Sequence, residues 1–247
     1  MTSLPLARRM AWVAGSDACL VAVLVACSQP QPPTVPLYRA LQVGDLDQVK
    51  RHVYHGSNIN SPDGAGDYPI HVSARNAQVA IARVLLDHGA SPDVRDAKGR
   101  TPLHLALAAG RTEVADVLFG AGAADSPQAL LSSLVREGSA DRDVLNLLRR
   151  RGADLNALDE TGRAPLHLAV GTGQIALAKR LILAGADTNL SDTDGQTPLA
   201  LALRAGDTDL IRMLRQYGAR SPGPERGAAS APGDPAPPAP AAGAGRP

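Results

Sequence analysis

Residues 99 to 110 read GRTPLHLALAAG, and the pattern returns at 162 to 173 (GRAPLHLAVGTG), 66 to 77 (GDYPIHVSARNA) and 195 to 206 (GQTPLALALRAG). Pro69, Pro102, Pro165 and Pro198 mark the same place in each copy and lie 33, 63 and 33 residues apart, so the middle interval is two periods less three residues. Self-similarity at this period is the mark of a stacked solenoid held by contacts between neighbouring units.

The local chemistry of one unit agrees. In DAKGRTPLH, at 96 to 104, Asp96 and Gly99 suit a tight turn, Thr101 suits a helix N-cap, and Pro102 sits at the first helical position, where no amide is wasted. Leu103, Leu105, Ala106 and Leu107 then make a short buried helix that Gly110 ends in the left-handed region. A second helix runs through Val114, Val117 and Leu118 on the 3.6-residue period. Its Gly-Ala ending at 122 and 123 recurs at 89 and 90, 152 and 153, 185 and 186, and 218 and 219.

A 33-residue period carrying T-P-L-H-x-A resembles the ankyrin repeat, over about residues 37 to 222. The resemblance implies an all-α ankyrin-repeat solenoid of stacked helix-turn-helix units with short β-hairpin fingers, five to six repeats in all. An opening half-repeat is expected at 37 to 60 and full units at about 63 to 95, 96 to 125, 159 to 191 and 192 to 222. The unit at 126 to 158 is degenerate: Ser126-Pro127 opens a helix, but GAGAADS before it lacks the D-x-x-G turn, so this unit is expected to stack without a finger.

The chain is 44% hydrophobic but 2% aromatic, which fits many small Ala/Leu/Val helices. Lys and Arg number 25 against 24 Asp and Glu. Without Arg8, Arg9 and Asp17 of the first 26 residues the balance is 23 to 23, which offers no footing for nucleic-acid binding. Residues 1 to 26 read as a signal peptide, and the apolar run ACLVAVLVAC at 18 to 27 is too short to span a bilayer. Leu24-Val25-Ala26-Cys27 resembles a bacterial lipobox, which implies lipidation at Cys27. Ser28 after it implies the periplasmic side of the outer membrane; without the lipid the protein is expected soluble in the periplasm. Residues 27 to 36 then supply a Pro-rich spacer, and the Pro/Ala/Gly-rich tail at 223 to 247 is expected to be disordered. With Cys19 removed and Cys27 lipidated, no thiol remains for a disulfide or zinc site.

His71, His104 and His167 fall at equivalent positions. The resemblance implies a structural role for them, bonding within and between turns; Tyr68 replaces the capping Thr before His71, and Ala200 replaces the last His. Asp192 and Asp194 lack the spaced Glu of a calcium loop, and Arg149, Arg150 and Arg151 point in different directions on a helix. No catalytic residue, cofactor or metal site is expected, and the protein is read as a monomer that binds proteins of the cell envelope. Ankyrin proteins bind through fingertips and inner helices. That implies Ala65, Asp67, Lys98, Arg100, Glu160, Thr161, Arg163, Asp194 and Gln196 on the fingers, with Arg75, Asn76 and Arg204 on the inner helices. Arg100 and Arg163 are expected to face each other across a notch left by the missing finger. Two roles remain open: a tethered scaffold, or an inhibitor or immunity-type protein that blocks a specific enzyme.

Overall fold

The computed structural model describes residues 30–221. Twelve helices follow one another in six antiparallel pairs: α1 (Leu37–Val43) with α2 (Leu46–Tyr54), α3 (Pro69–Arg75) with α4 (Val79–Asp87), and α5 (Pro102–Ala108) with α6 (Thr112–Gly120). The series continues with α7 (Pro127–Glu137) and α8 (Arg142–Arg150), α9 (Pro165–Gly171) and α10 (Ile175–Leu183), and α11 (Pro198–Ala205) and α12 (Thr208–Gln216). Inner helices stack on inner helices and outer on outer, so each pair touches its sequence neighbours. The described residues contain no strand.

Two expectations are corrected. Residues 37 to 60 hold a complete helix pair, α1 and α2, rather than a half-repeat. The fingers are also not β-hairpins. Each closes on one backbone bond between its first and fifth residues, Asp63 to Asp67, Asp96 to Arg100, Asp159 to Arg163 and Asp192 to Gln196, all 2.9 Å. Five residues leave no length for a ladder.

The core is one apolar seam from Leu41 to Leu214, and Leu103, Leu118, Leu131, Leu148 and Leu199 along it are fully buried. Hydroxyl caps open α5 and α11, where Thr101 Oγ1 accepts from His104 N at 3.1 Å and Thr197 Oγ1 from Ala200 N at 3.3 Å. At α3 the capping Thr is Tyr68, and the bond reverses: Tyr68 N donates to His71 Nδ1 at 3.1 Å.

The fourth unit departs from the others at its start. Stepping back one period from Pro165 gives 132, yet α7 begins at Pro127. An extra helical turn therefore stands where other units place a finger, and it carries buried Leu130 and Leu131. No Asp-x-x-Gly turn precedes it.

Candidate interaction surface on the finger row

Each finger is built on one aspartate. Its Oδ1 accepts two amides of its own turn: Asp63 from Ala65 and Asp67, both at 2.9 Å, and Asp96 from Lys98 and Arg100, both at 2.9 Å. Asp159 accepts from Thr161 at 2.8 Å and Arg163 at 3.2 Å, and Asp192 from Asp194 at 3.0 Å and Gln196 at 2.8 Å. Burial raises the affinity of Asp96 and Asp159 for protons, but hydrogen bonds outweigh it. Those from Arg100 and Lys98, and from Thr161 and Arg163, hold both carboxyls below the usual aspartate range.

A second set of bonds joins each finger to the inner helix of the unit before it. His71 Nε2 donates to Arg100 O at 3.1 Å and lies 3.2 Å from Val94 O, and His167 Nε2 donates to Gln196 O at 3.1 Å. Burial lowers the pKa of both imidazoles, which favours the neutral ring these bonds need. Tyr38, one period before His71, does the same work: its hydroxyl sits 2.6 Å from Ser61 O and 2.8 Å from Asp67 O, and burial raises its pKa. A third set joins successive outer loops. Asn60, Asp93, Asn156 and Asn189 each accept an amide from the following unit, Ser91 N at 3.1 Å and Ala124, Asp187 and Arg220 N at 2.8 Å. Neither Tyr38 nor this Asn/Asp series stood out in the sequence, although the series repeats at the intervals of the prolines, 33, 63 and 33.

The fourth unit replaces these contacts with side chains. His104 Nε2 meets Ser133 Oγ at 3.2 Å and Glu137 Oε1 at 3.0 Å, where its counterparts meet a finger carbonyl. Thr101 Oγ1 donates to Asp125 Oδ2 at 2.5 Å, Gln128 exchanges two bonds with the backbone of Asp154, and Arg136 pairs with Asp159 at the foot of the next finger. The three arginines at the end of α8 diverge: Arg149 donates to Ala184 O at 2.9 Å, while Arg151 pairs with Asp116 at 2.7 Å and lies over Phe119. Arg150 is exposed.

The structure sorts the sequence-derived binding residues into tied and free. Arg75 grips both oxygens of Asp67 through one Nη2, at 3.0 and 2.9 Å. Arg100 forks onto Asp96 of its own finger through Nε at 2.9 Å and Nη2 at 2.8 Å. Arg163 turns onward to Asp192 of the fourth finger at 3.8 Å, and the Thr161 hydroxyl donates to Asp159 at 2.6 Å. Arg100 and Arg163 are therefore each turned onto a carboxylate rather than standing free across the gap. Gln196 is half-buried. Ala65, Asn76, Lys98, Glu160, Asp194 and Arg204 remain exposed.

Adjacent fingertips also touch. A methyl group added at Gly66 would lie 2.9 Å from Ala97 Cβ, and one at Gly162 would collide with Thr193, so fingers one and two stack, as do three and four. Among the described residues no cluster of three or more His, Cys, Asp or Glu is placed to hold a metal ion, and no helix is long and apolar enough to cross a membrane.

A fold of stacked helix pairs with turn-held fingers defines a repeat protein whose variable tips are presented on a constant frame. The sequence model for ankyrin repeats (3 copies) matches residues 37–127 and again 131–222, and the chain belongs to the ankyrin-repeat family. The break between the matched segments falls in the extra turn of α7. Among solved structures, the chain is similar to the ankyrin repeat domain of Bcl-3, a member of the IkappaB family, at 27% identity and a TM-score of 0.61, over 77% of this chain and 89% of that one. It is similar to the human ASB11 ankyrin repeat domain at 26% identity and TM-score 0.58, over 75% and 85%. It is also similar to a chain of the complex between the predatory endopeptidase Bd0816 of Bdellovibrio bacteriovorus and immunity protein Bd3460, at 25% identity and TM-score 0.56, over 75% and 99%. No curated protein matches it by sequence. The family is one of protein-protein interaction modules, and the comparisons indicate no catalytic family.

Proposed function

We propose that the chain is a non-enzymatic interaction module held in the bacterial cell envelope by a lipid on Cys27, where its fingertips and inner helices bind an envelope protein. One observation supports the surface: aspartates, backbone amides and backbone carbonyls hold the turns, so the exposed side chains of Lys98, Glu160 and Asp194 make no hydrogen bond or ion pair among the described residues and are left for a partner. The tether rests on LVAC at 24 to 27, which lies outside the described residues.

Metabolic labelling with a fatty-acid analogue is expected to mark the full chain and to miss Cys27→Ser; equal labelling of the two overturns the tether. For the surface, the full chain is used to capture partners from envelope extracts, beside a variant with Lys98, Glu160 and Asp194 all changed to Ala. The expected result is loss of the partner at unchanged thermal stability. Equal capture by the variant overturns the fingertip site.

A second reading is an inhibitor or immunity-type protein that blocks a specific envelope or secreted enzyme. The likeness to a chain of the endopeptidase–immunity protein complex favours it, because it spans 99% of that chain. A captured hydrolase that loses activity at one equivalent of the chain supports inhibition. One that keeps full activity supports a scaffold.

A further inference from the structure

We infer that the vacant finger position between the second and third fingers is a docking slot for a tight turn of a partner protein, with a small residue at the turn's tip and a cation toward Glu160. The inference rests on the reading of the chain as a protein-binding module. What fits the slot is shown twice by the chain itself. Ala97 of finger two sits on Gly66 of finger one, and Thr193 of finger four sits on Gly162 of finger three, where Thr193 N also donates to Gly162 O at 3.1 Å. The third such seat is Gly99, and a methyl group there would meet nothing within 4 Å. The residue that belongs on it is missing because α7 begins with a helical turn in place of a finger.

Gly195 is equally bare, but its finger is the last among the described residues, and none of those residues follows it with a wall opposite. Gly99 has a wall: finger three puts Glu160 at the place that Ala97 and Thr193 hold in theirs. The floor is α7, whose Ser133 and Glu137 bond His104 beneath finger two while Arg136 bonds Asp159 at the foot of finger three. Gly99 O, the counterpart of the carbonyl that receives Thr193, is covered by the exposed Arg95 guanidinium at 2.8 Å, which an incoming amide has to displace. The seat therefore asks for a small tip residue with a free N–H.

Charge decides the rest. Arg100, Arg136 and Arg163 are each turned onto an aspartate. Glu160 is exposed without an ion pair among the described residues, and the Glu137 side chain on the floor is 45% exposed. The third-finger side and the floor are thus acidic, while Lys98 on the opposite rim and Arg95 at the seat are cationic, so the acidic pull on a partner is confined to the third-finger side. A cation following the tip completes that wall, and its attraction is expected to weaken with salt.

The probe is a disulfide-closed peptide carrying VRDAKGRT, the sequence of residues 94 to 101, which supplies Ala at the tip followed by Lys and Arg. Titrated into the full chain by calorimetry, it is expected to bind saturably. Glu160→Lys, Gly99→Asn and an Ala-to-Ile change at the peptide tip are each expected to weaken binding by about tenfold or more, and Gly195→Asn to leave it unchanged. Asn tolerates the positive φ of 76° at Gly99, and the exposed Glu160→Lys change stays decisive if Gly99→Asn unfolds. Absence of saturable binding overturns the slot, as does binding that only Gly195→Asn abolishes. Self-association of the wild type that Gly99→Asn removes makes the occupant a second copy, which also overturns a partner's turn. A partner captured equally by wild type and Glu160→Lys keeps the interaction reading and overturns the slot alone.

Discussion

The joint between the second and third helix pairs and the joint between the third and fourth solve one problem in two ways. At the first, His71 bonds the backbone carbonyls of Arg100 and Val94, which any sequence in that finger supplies. At the second, His104 finds the Ser133 hydroxyl and the Glu137 carboxylate, and no finger carbonyl is present. The first joint depends on chain shape, the second on two particular side chains. A repeat that loses its finger therefore keeps its place in the stack by replacing backbone acceptors with side-chain ones, and it leaves an open seat on the finger before it.

The largest expected effect tests whether the apolar seam runs unbroken through both joints. Leu103→Ala in α5 and Leu131→Ala in α7 each empty a fully buried site and are expected to cost about 2 to 5 kcal/mol. Calorimetric unfolding should show similar losses; a much smaller one for Leu131 would mark the fourth unit as loosely packed. Next is the difference between the joints themselves. His71→Ala strands two carbonyls and the Tyr68 amide and is expected to cost about 3 kcal/mol, whereas Ser133→Ala leaves Glu137 on His104 and is expected to cost about 1 kcal/mol.

Acid should act on the regular joints. His71 and His167 have folded pKa values below their ordinary 6.5, so the unfolded chain binds protons more readily there. The stability these neutral rings contribute is complete above pH 6.5 and declines as the pH falls from there through the lower folded values. Below the ordinary aspartate value of 3.8, loss of charge on Asp96 and Asp159 removes more as the pH falls through their depressed folded values. Denaturant midpoints between pH 7 and 5 are expected to fall, and to fall less in a His71→Gln, His167→Gln double variant. The smallest effect is a gain. Ala77 holds φ at 57°, where Gly44, Gly110, Gly138, Gly173 and Gly206 occupy the matching turn of the other units. Ala77→Gly should relieve the strain and stabilise by about 0.5 to 1 kcal/mol, less if the added freedom of the unfolded chain offsets it. A thermal shift upward checks the sign.

Much of the frame was legible in the sequence, because the elements that build it are local. Thr101 caps and Pro102 starts a helix through bonds within one turn, and Leu103 and Leu166 are buried because a fixed period returns them to the same face. His71 and His167 read as structural for the same reason: a repeated position has a repeated duty. The site was less legible. Asp67, Arg75, Arg100 and Arg163 looked free because their partners are set by side-chain reach between turns rather than by spacing. Tyr38 escaped notice because a phenol in place of an imidazole breaks the letter pattern while keeping the hydrogen bond.

A period of 33 residues, its glycines and its helix starts determined by themselves that this chain stacks helix pairs, since each requirement is met within a few residues of backbone or by the next copy. The tertiary structure alone decided which charges are paired within the protein and which stay exposed. Hydrogen bonding falls off within a few ångströms, and attraction between exposed charges is largely screened beyond about 10 Å. Whether Arg100 meets Asp96 or solvent, or Gly99 a neighbouring tip or an empty seat, depends on packed geometry that sequence spacing does not encode.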